Sequence, residues 1–321
     1  MKKQQPNVPE VQFIEVDAEF DRQRIDNFLF TRLKGVPKSR IYRMLRTGEV
    51  RVNRGRAQAK TRLNTGDMIR VPPVRTAEGA RNETLPAGFL SGVFEAGIIF
   101  EDEHLLVLNK PSGVPVHGGS GISGGVIEGL RRLRPEARFL ELAHRLDRDT
   151  SGCLIIAKRR SALLSLHEQF RSDRVDKRYL TLLAGTWNRK RVTIDARLLK
   201  NVRKGGERMV TPSVSGKPAE TDFTRLRKFR SATLVQARPK TGRTHQIRVH
   251  AAYMGHPIVG DMRYGDDSCN RDFRRKGLKR LFLHAEGLSF SHPATGQPMQ
   301  ISAPLEKGLT DFIETFDETP I

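Results

Sequence analysis

The chain has 321 residues, 37% hydrophobic and 29% charged, and its 57 Lys and Arg against 36 Asp and Glu leave a net charge of +21. That is enough chain for one large core and a second, small domain, while no apolar run approaches the ~18 residues of a membrane-spanning helix. Two isolated cysteines, Cys153 and Cys269, exclude a disulfide framework and a cysteine zinc site, so a soluble protein of the reducing cytoplasm is expected. The positive excess calls for a polyanionic partner, because each phosphate neutralised releases condensed counterions. A membrane surface is the rival polyanion, and neither a lipidation signal nor a long terminal amphipathic helix supports it.

Residues 1–18 read as a polar, Pro-containing tail, disordered as far as Val11, and Met1-Lys2-Lys3 leads into no signal-peptide core. Ile25, Phe28, Leu29 and Leu33 then recur at helical spacing. Pro37 interrupts, and a second helix follows over Ser39–Arg46 with Ile41, Met44 and Leu45 on one face and Arg40, Arg43 and Arg46 on another. Val50–Asn53 alternates like a strand, and Leu63–Val71 returns through the turn Thr65-Gly66-Asp67. With "PKSRIYRMLRTGEVRVN" and "LNTGDMIRVP", residues 19–75 resemble the S4 RNA-binding domain. That resemblance makes Arg40, Arg43 and Arg46 candidate RNA contacts, whereas a bare basic stripe is most often a solvated face.

A Gly- and Pro-containing linker, 76–92, precedes the large domain, 93–321. Ile98–Phe100 and Leu105–Lys110 read as a hairpin, Gly118–Gly125 as a mobile loop, and Val126–Leu133 as a helix. The stretch Ala143-His144-Arg145-Leu146-Asp147-Arg148-Asp149-Thr150-Ser151-Gly152 joins a charged loop to the apolar run Cys153–Ala157, which puts a polar loop at the end of a core strand. Cys153 in that run is a small buried hydrophobe. Ser161 is placed to cap a helix with Leu163, Leu164, Leu166 and Phe170 facing the core. Strands follow over Asp176–Gly185, Glu220–Thr224 and Thr233–Ala237. Lys240–His250 reads as strand, glycine turn and helix, with His245 and Arg248 on neighbouring turns of one face. Strands outnumber helices and rarely alternate with long ones, so the expected class is α+β around a mixed, largely antiparallel sheet.

His144-Arg145-Leu146-Asp147-x-x-Thr150-Ser151-Gly152 resembles the central motif of the RluA-type pseudouridine synthases. Lys177–Tyr179, Gly242–Arg248, Asn109–Gly113 and "LFLHAEGLSFSHP" match the same family, so the likeness spans nearly all of 93–305. Among its members, those that carry an S4 domain and act on bacterial large-subunit ribosomal RNA are the most similar. The resemblance implies isomerisation of uridine within RNA to pseudouridine, with Asp147 as the catalytic carboxylate. It implies Arg248 as its cationic partner, Tyr179 as a stacking and proton-handling residue, and a target base flipped from its stack. Arg145 is then placed to fill the vacated space or hold a phosphate, His245 joins the RNA-contacting set, and Asp149 is structural. An isomerisation needs no cofactor and no metal, and a cytoplasmic monomer whose partner is ribosomal RNA is expected.

Two rival readings fit the sequence less well. A non-catalytic S4-type ribosome-binding or assembly protein would bind RNA without needing a carboxylate among cations. Gly121-Ile122-Ser123-Gly124-Gly125 matches the serine-hydrolase elbow formally, but glycines stand where a buried strand must precede the serine. Nor do the nine histidines fall into a metal-ligand spacing.

Overall fold

A computed structural model describes residues 10–33, 35–74, 92, 94, 96–118, 124–204 and 207–316. The first nine residues, most of the expected linker and the glycine loop around Ser123 lie outside them. The chain forms two compact units, Met1–Thr84 and Leu85–Ile321.

In the first unit, α1 (Ile25–Arg32) and α2 (Lys38–Thr47) cover an antiparallel sheet. Its strands are β1 (Gln12–Glu15), β2 (Arg51–Val52), β3 (Gly55–Arg56) and β4 (Met68–Val71), in the order β1-β4-β2-β3. The helical spacing does what it implies: Ile25, Phe28, Leu29, Ile41, Met44 and Leu45 are buried together with Ile69 and Val71. Gly48, at φ +72°, ends α2 in the left-handed conformation, returning its N–H to the Leu45 and Met44 carbonyls. The tail expected over 1–18 therefore ends sooner, because Gln12–Glu15 is an edge strand paired with β4. Only one of the four β1 residues is even partly buried, which is why its alternation was not legible.

The second unit is built on one long sheet, in the order β10-β13-β14-β9-β15-β8-β6-β5. Its strands are β5 (Ile98–Glu101), β6 (Leu105–Lys110), β8 (Ser151–Ala157), β9 (Asp176–Ala184), β10 (Arg191–Asp195), β13 (Glu220–Lys228), β14 (Ala232–Pro239) and β15 (Leu283–Ser291). Two short strands, β7 (Glu141–Leu142) on β8 and β16 (Pro298–Ser302) on β15, extend it. A separate hairpin, β11 (Leu198–Lys204) with β12 (Glu207–Pro212), completes the strands. All pairs in the long sheet are antiparallel except β15 with β8, which touch over only two residue pairs, His284↔Ser151 and Ala285↔Gly152. Here the Ser-Gly of the central motif has a physical reason. Gly152 sits at φ +108°, and a Cβ there would lie 2.2 Å from the Ala285 carbonyl oxygen.

All seven residues of β8 are buried, as its apolar run implies. Leu154 and Ile156 join Leu106 and Leu108 on one face, beneath α3 (Val126–Leu133). Cys153 and Ile155 join Leu105 and Val107 on the other, beneath α4 (Arg160–Arg171). In α4 two expectations fail. Arg159, not Ser161, is the N-cap residue, because the helix starts at Arg160, two residues sooner than a cap at Ser161 requires. Leu164 is 55% exposed, since the helix turns Ala162, Leu166, Gln169 and part of Leu163 and Phe170 inward instead. Three further helices close the core, α5 (Gln246–Tyr253), α6 (Asp267–Arg275) and α7 (Lys307–Glu314). No helix among the described residues is long and apolar enough to cross a membrane.

Candidate active site

Asp147 lies on the loop between β7 and β8, where the sheet changes from antiparallel to parallel pairing. The loop is held from both ends. Ala143 donates its N–H to the Ile155 carbonyl, and Ile155 returns its own to His144 Nε2 at 3.0 Å. Burial, with the Lys177 charge adding and an Arg145 backbone bond opposing, pushes His144 down to about 3. Its imidazole is therefore a neutral strut, stacked on Phe170 at 4.8 Å. Three successive loop carbonyls are bonded: Asp147 by Thr150 N–H, Arg148 by Gly113 N–H, and Asp149 by the Ser112 hydroxyl.

The Lys-Pro-Ser-Gly segment supplies a second tie. Lys110 is fully buried, and its Nζ donates to the carbonyls of Pro111, Val114 and Arg148 at 2.9, 2.8 and 3.0 Å. Burial brings its pKa down to about 7, Arg280 adding and Asp149 and Asp147 opposing. Replacement by Met keeps the stem but strands three buried acceptors, for an expected loss of about 3 kcal/mol in denaturant unfolding of the catalytic unit. The unfolded side chain keeps its proton to about pH 10.4 while the folded one sheds it nearer 7. Wild-type stability relative to Lys110→Met should therefore rise between those pH values, since the unfolded chain binds more protons there. A pH-independent difference would contradict the burial of this amine.

Facing Asp147 is the start of α5, whose residues Gln246–Ala251 are all buried. Gln246 fixes the preceding turn: its Oε1 accepts from the Thr241 hydroxyl and Arg243 N–H, and its Nε2 donates to the Glu220 carbonyl and Thr221 Oγ1. His245 is not on the helix, as its spacing had suggested; it is the N-cap residue at φ +53°, so its ring leaves the backbone in another direction. Both expected residues still reach the carboxylate. Arg248 Nη1 is 3.6 Å and His245 Nε2 3.9 Å from Asp147 Oδ2.

The short bonds of Arg248 go elsewhere. Its Nε and Nη2 donate to the two oxygens of Asp261 at 2.7 and 2.8 Å, and the Asp261 side chain is wholly buried. Asp261 also accepts the N–H groups of Arg263 and Tyr264. Burial pulls the Arg248 pKa down, yet the bonds and charge of Asp261, with the charge of Asp147, outweigh it and leave it raised. Conversely, burial pushes Asp261 up, and Arg248 with the two N–H groups brings it below the ordinary carboxylate range. The result is a fixed guanidinium with one edge committed to Asp261 and the other turned to Asp147. Sequence reasoning missed Asp261, although an acidic residue after the apolar pair Ile258-Val259 and Gly260 was the available signal.

Asp147, Tyr179, His245 and Arg248 line one cleft of about 780 Å³, together with His144 and Arg145. That lies within the ~300–1,000 Å³ of small-ligand sites. Burial first, and then the Asp147 charge, raise the Tyr179 pKa, so the phenol keeps its proton. Arg145 is exposed at the cleft, and Asp147 remains about a third open, at 31%. Arg40, Arg43 and Arg46 belong to the other unit. Of these Arg40 is bound by both oxygens of Glu49, at 3.1 and 2.7 Å, while Arg43 and Arg46 are exposed.

Comparison with known proteins adds an independent line. The model of the RNA pseudouridylate synthase family matches residues 104–253, and that of the S4 domain matches 23–69. The chain is 57% identical to ribosomal large subunit pseudouridine synthase C of Yersinia pestis, over 94% of this chain and 95% of that one. The protein of the same description from Escherichia coli K12 is 55% identical over 94% and 95% of the two chains. Among solved structures, human RNA pseudouridylate synthase domain containing 1 superposes with a TM-score of 0.59 at 30% identity, covering 70% of this chain and 88% of that one.

Proposed function

The chain belongs to the RNA pseudouridylate synthase family, and from that premise we propose that it converts uridines of large-subunit ribosomal RNA to pseudouridine, with Asp147 in the chemical step. In this reaction the N1–C1′ bond breaks, the base turns, and C5 bonds to C1′ while the C5 hydrogen is lost and N1 gains one. The atoms balance within a single nucleotide, so no cofactor is required. The observation that carries the assignment is a part-exposed carboxylate in a cleft, 3.6 Å from a buried guanidinium that a second carboxylate holds in place.

Each side chain has a task that follows from its state. Asp147 supplies the ionised oxygen that acts as nucleophile or base. The neutral Tyr179 phenol offers a ring face to the base and a proton to donate, and is not a base itself. Arg145, exposed at the rim, is free to enter the stack that the target base leaves or to hold a phosphate. A ribosome-binding protein without chemistry is the second reading. It gives no role to a carboxylate exposed in a basic cleft, where it would repel phosphate. We take the enzyme to act as a monomer in the cytoplasm.

The test is incubation without cofactor of protein-free large-subunit and small-subunit ribosomal RNA, followed by digestion to nucleosides and position mapping. Pseudouridine confined to the large-subunit RNA is expected. Pseudouridine in neither, with RNA still bound, would favour the binding-protein reading. Of the three arginines on α2, Arg43 and Arg46 are the exposed ones left to meet phosphate, so Arg43→Ala/Arg46→Ala should weaken RNA binding. The slope of log affinity against log salt should fall by about 1.5. An unchanged slope would make the stripe a solvated face.

A further inference from the structure

We propose that Tyr264 is a positioning residue for the Asp147 carboxylate, acting through His245: its hydroxyl fixes which imidazole nitrogen carries the proton and turns that N–H toward Asp147. The inference rests on the isomerase reading for its catalytic consequence, but the hydrogen bonding that carries it is independent of that reading.

Tyr264 is locked before its side chain begins. Its N–H donates to Asp261 Oδ1 at 3.0 Å, and Gly265 N–H closes a tight turn on the Asp261 carbonyl, so near that a Cβ on Gly265 would stand 2.3 Å from that oxygen. The phenol oxygen then has two partners. Val210 N–H, on β12, donates to it at 3.1 Å, and His245 Nδ1 lies 2.8 Å away. The backbone N–H can only donate, so the phenol oxygen accepts there and keeps its hydrogen for His245.

The other face of the imidazole decides the tautomer. Nε2 looks at Asp147 Oδ2, which can only accept. Burial holds the His245 pKa below its ordinary 6.5, with Arg248 adding and Asp147 opposing, so near neutrality the ring carries one proton. Placed on Nε2, that proton faces the carboxylate and leaves Nδ1 to accept from Tyr264. Placed on Nδ1, it would set the Nε2 lone pair against the carboxylate. Only the first assignment uses every group, and it requires the tyrosine hydroxyl.

The ring serves the second partner of Asp147 as well. The Arg248 guanidinium lies 5.1 Å from the Tyr264 centroid, over its face, and His245 packs edge-on at 5.5 Å. One side chain therefore contacts both groups that face Asp147. Through Val210 it also joins them to the base of the β11–β12 hairpin, where Leu198, Val210, Ala219 and Val249 pack together.

Tyr264→Phe keeps the ring over Arg248 and removes only the hydroxyl. Single-turnover isomerisation should slow about tenfold, the scale of one lost hydrogen bond, with RNA affinity unchanged. His245→Gln keeps a donor but has no tautomer to set, so adding Tyr264→Phe to it should slow the reaction less than about twofold, since neighbours acting through one another are not additive. Histidine-selective 15N spectra supply a readout without activity. His245, assigned by its loss in His245→Gln, should show one Nε2–H tautomer in the wild type and an averaged pair in Tyr264→Phe. Equal slowing by Tyr264→Phe in both backgrounds, or an Nδ1–H tautomer in the wild type, would overturn the proposal. If the wild type forms no pseudouridine, the isomerase reading fails, and the spectra still decide the Tyr264–His245 bond.

Discussion

Asp147→Asn should leave a folded protein that binds RNA and forms no pseudouridine, with a single-turnover rate at least ~10⁴-fold below wild type. The fold survives because the loop is held by its backbone and its neighbours. Its carbonyls at 147, 148 and 149 are bonded to Thr150, Gly113 and Ser112, and none of these bonds uses the Asp147 carboxylate. RNA affinity should hold or tighten a little, because one negative charge has left a basic cleft. No neighbour can take over the chemistry. The Asp149 carboxylate is paired to Arg148 at 3.1 Å, and Asp261 is buried in its bidentate pair with Arg248. Retained activity in Asp147→Asn would remove this carboxylate from the mechanism.

Arg248→Met carries the second large effect, and the structure changes its expected nature. Pairing with Asp147 alone would make the loss purely catalytic. Because the short bonds of Arg248 go to Asp261, Met also leaves a wholly buried carboxylate without its cation. Stability should fall by about 3–5 kcal/mol, and activity by about 10²–10³-fold from the lost charge beside Asp147. Arg248→Lys keeps the charge but not the planar fork, and should lie between Met and wild type. The double variant Arg248→Met/Asp261→Asn separates the two roles. It should recover most of the stability, since the stranded charge is gone, and none of the activity. Recovery of both would mean that Arg248 serves the fold alone.

How much of this was legible in the sequence follows from the range of each interaction. The Asp147 loop and the strand behind it are written in one contiguous stretch, Ala143–Ala157, with a charged half, a Ser-Gly turn and an apolar half, so both were readable. The buried face of α2 followed from 3.6-residue spacing in the same way. What could not be read depends on residues distant in the chain. Asp261 is recognisable as the holder of Arg248 only once the turn after Gly260 is folded against α5. Tyr264 matters through a bond to Val210, and Lys110 through a carbonyl 38 residues away. Local misreadings have local causes. His245 sits at helical spacing from Arg248 but adopts a left-handed backbone, and Ser161 resembles a cap two residues too late. The strand β10 alternates Arg191-Val192-Thr193-Ile194-Asp195, yet even its inward residues are only partly buried, so its apolar signal is weak.

The most direct measurement of the central claim uses the hydrogen that the reaction must release. Large-subunit ribosomal RNA transcribed with uridine tritiated at C5 is mixed with excess enzyme and no cofactor, and tritium appearing in water is followed beside pseudouridine in the digested RNA. Wild-type protein should release one tritium for each pseudouridine formed, and Asp147→Asn should release none while binding the same RNA. Wild-type protein that bound this RNA and released no tritium would contradict the account.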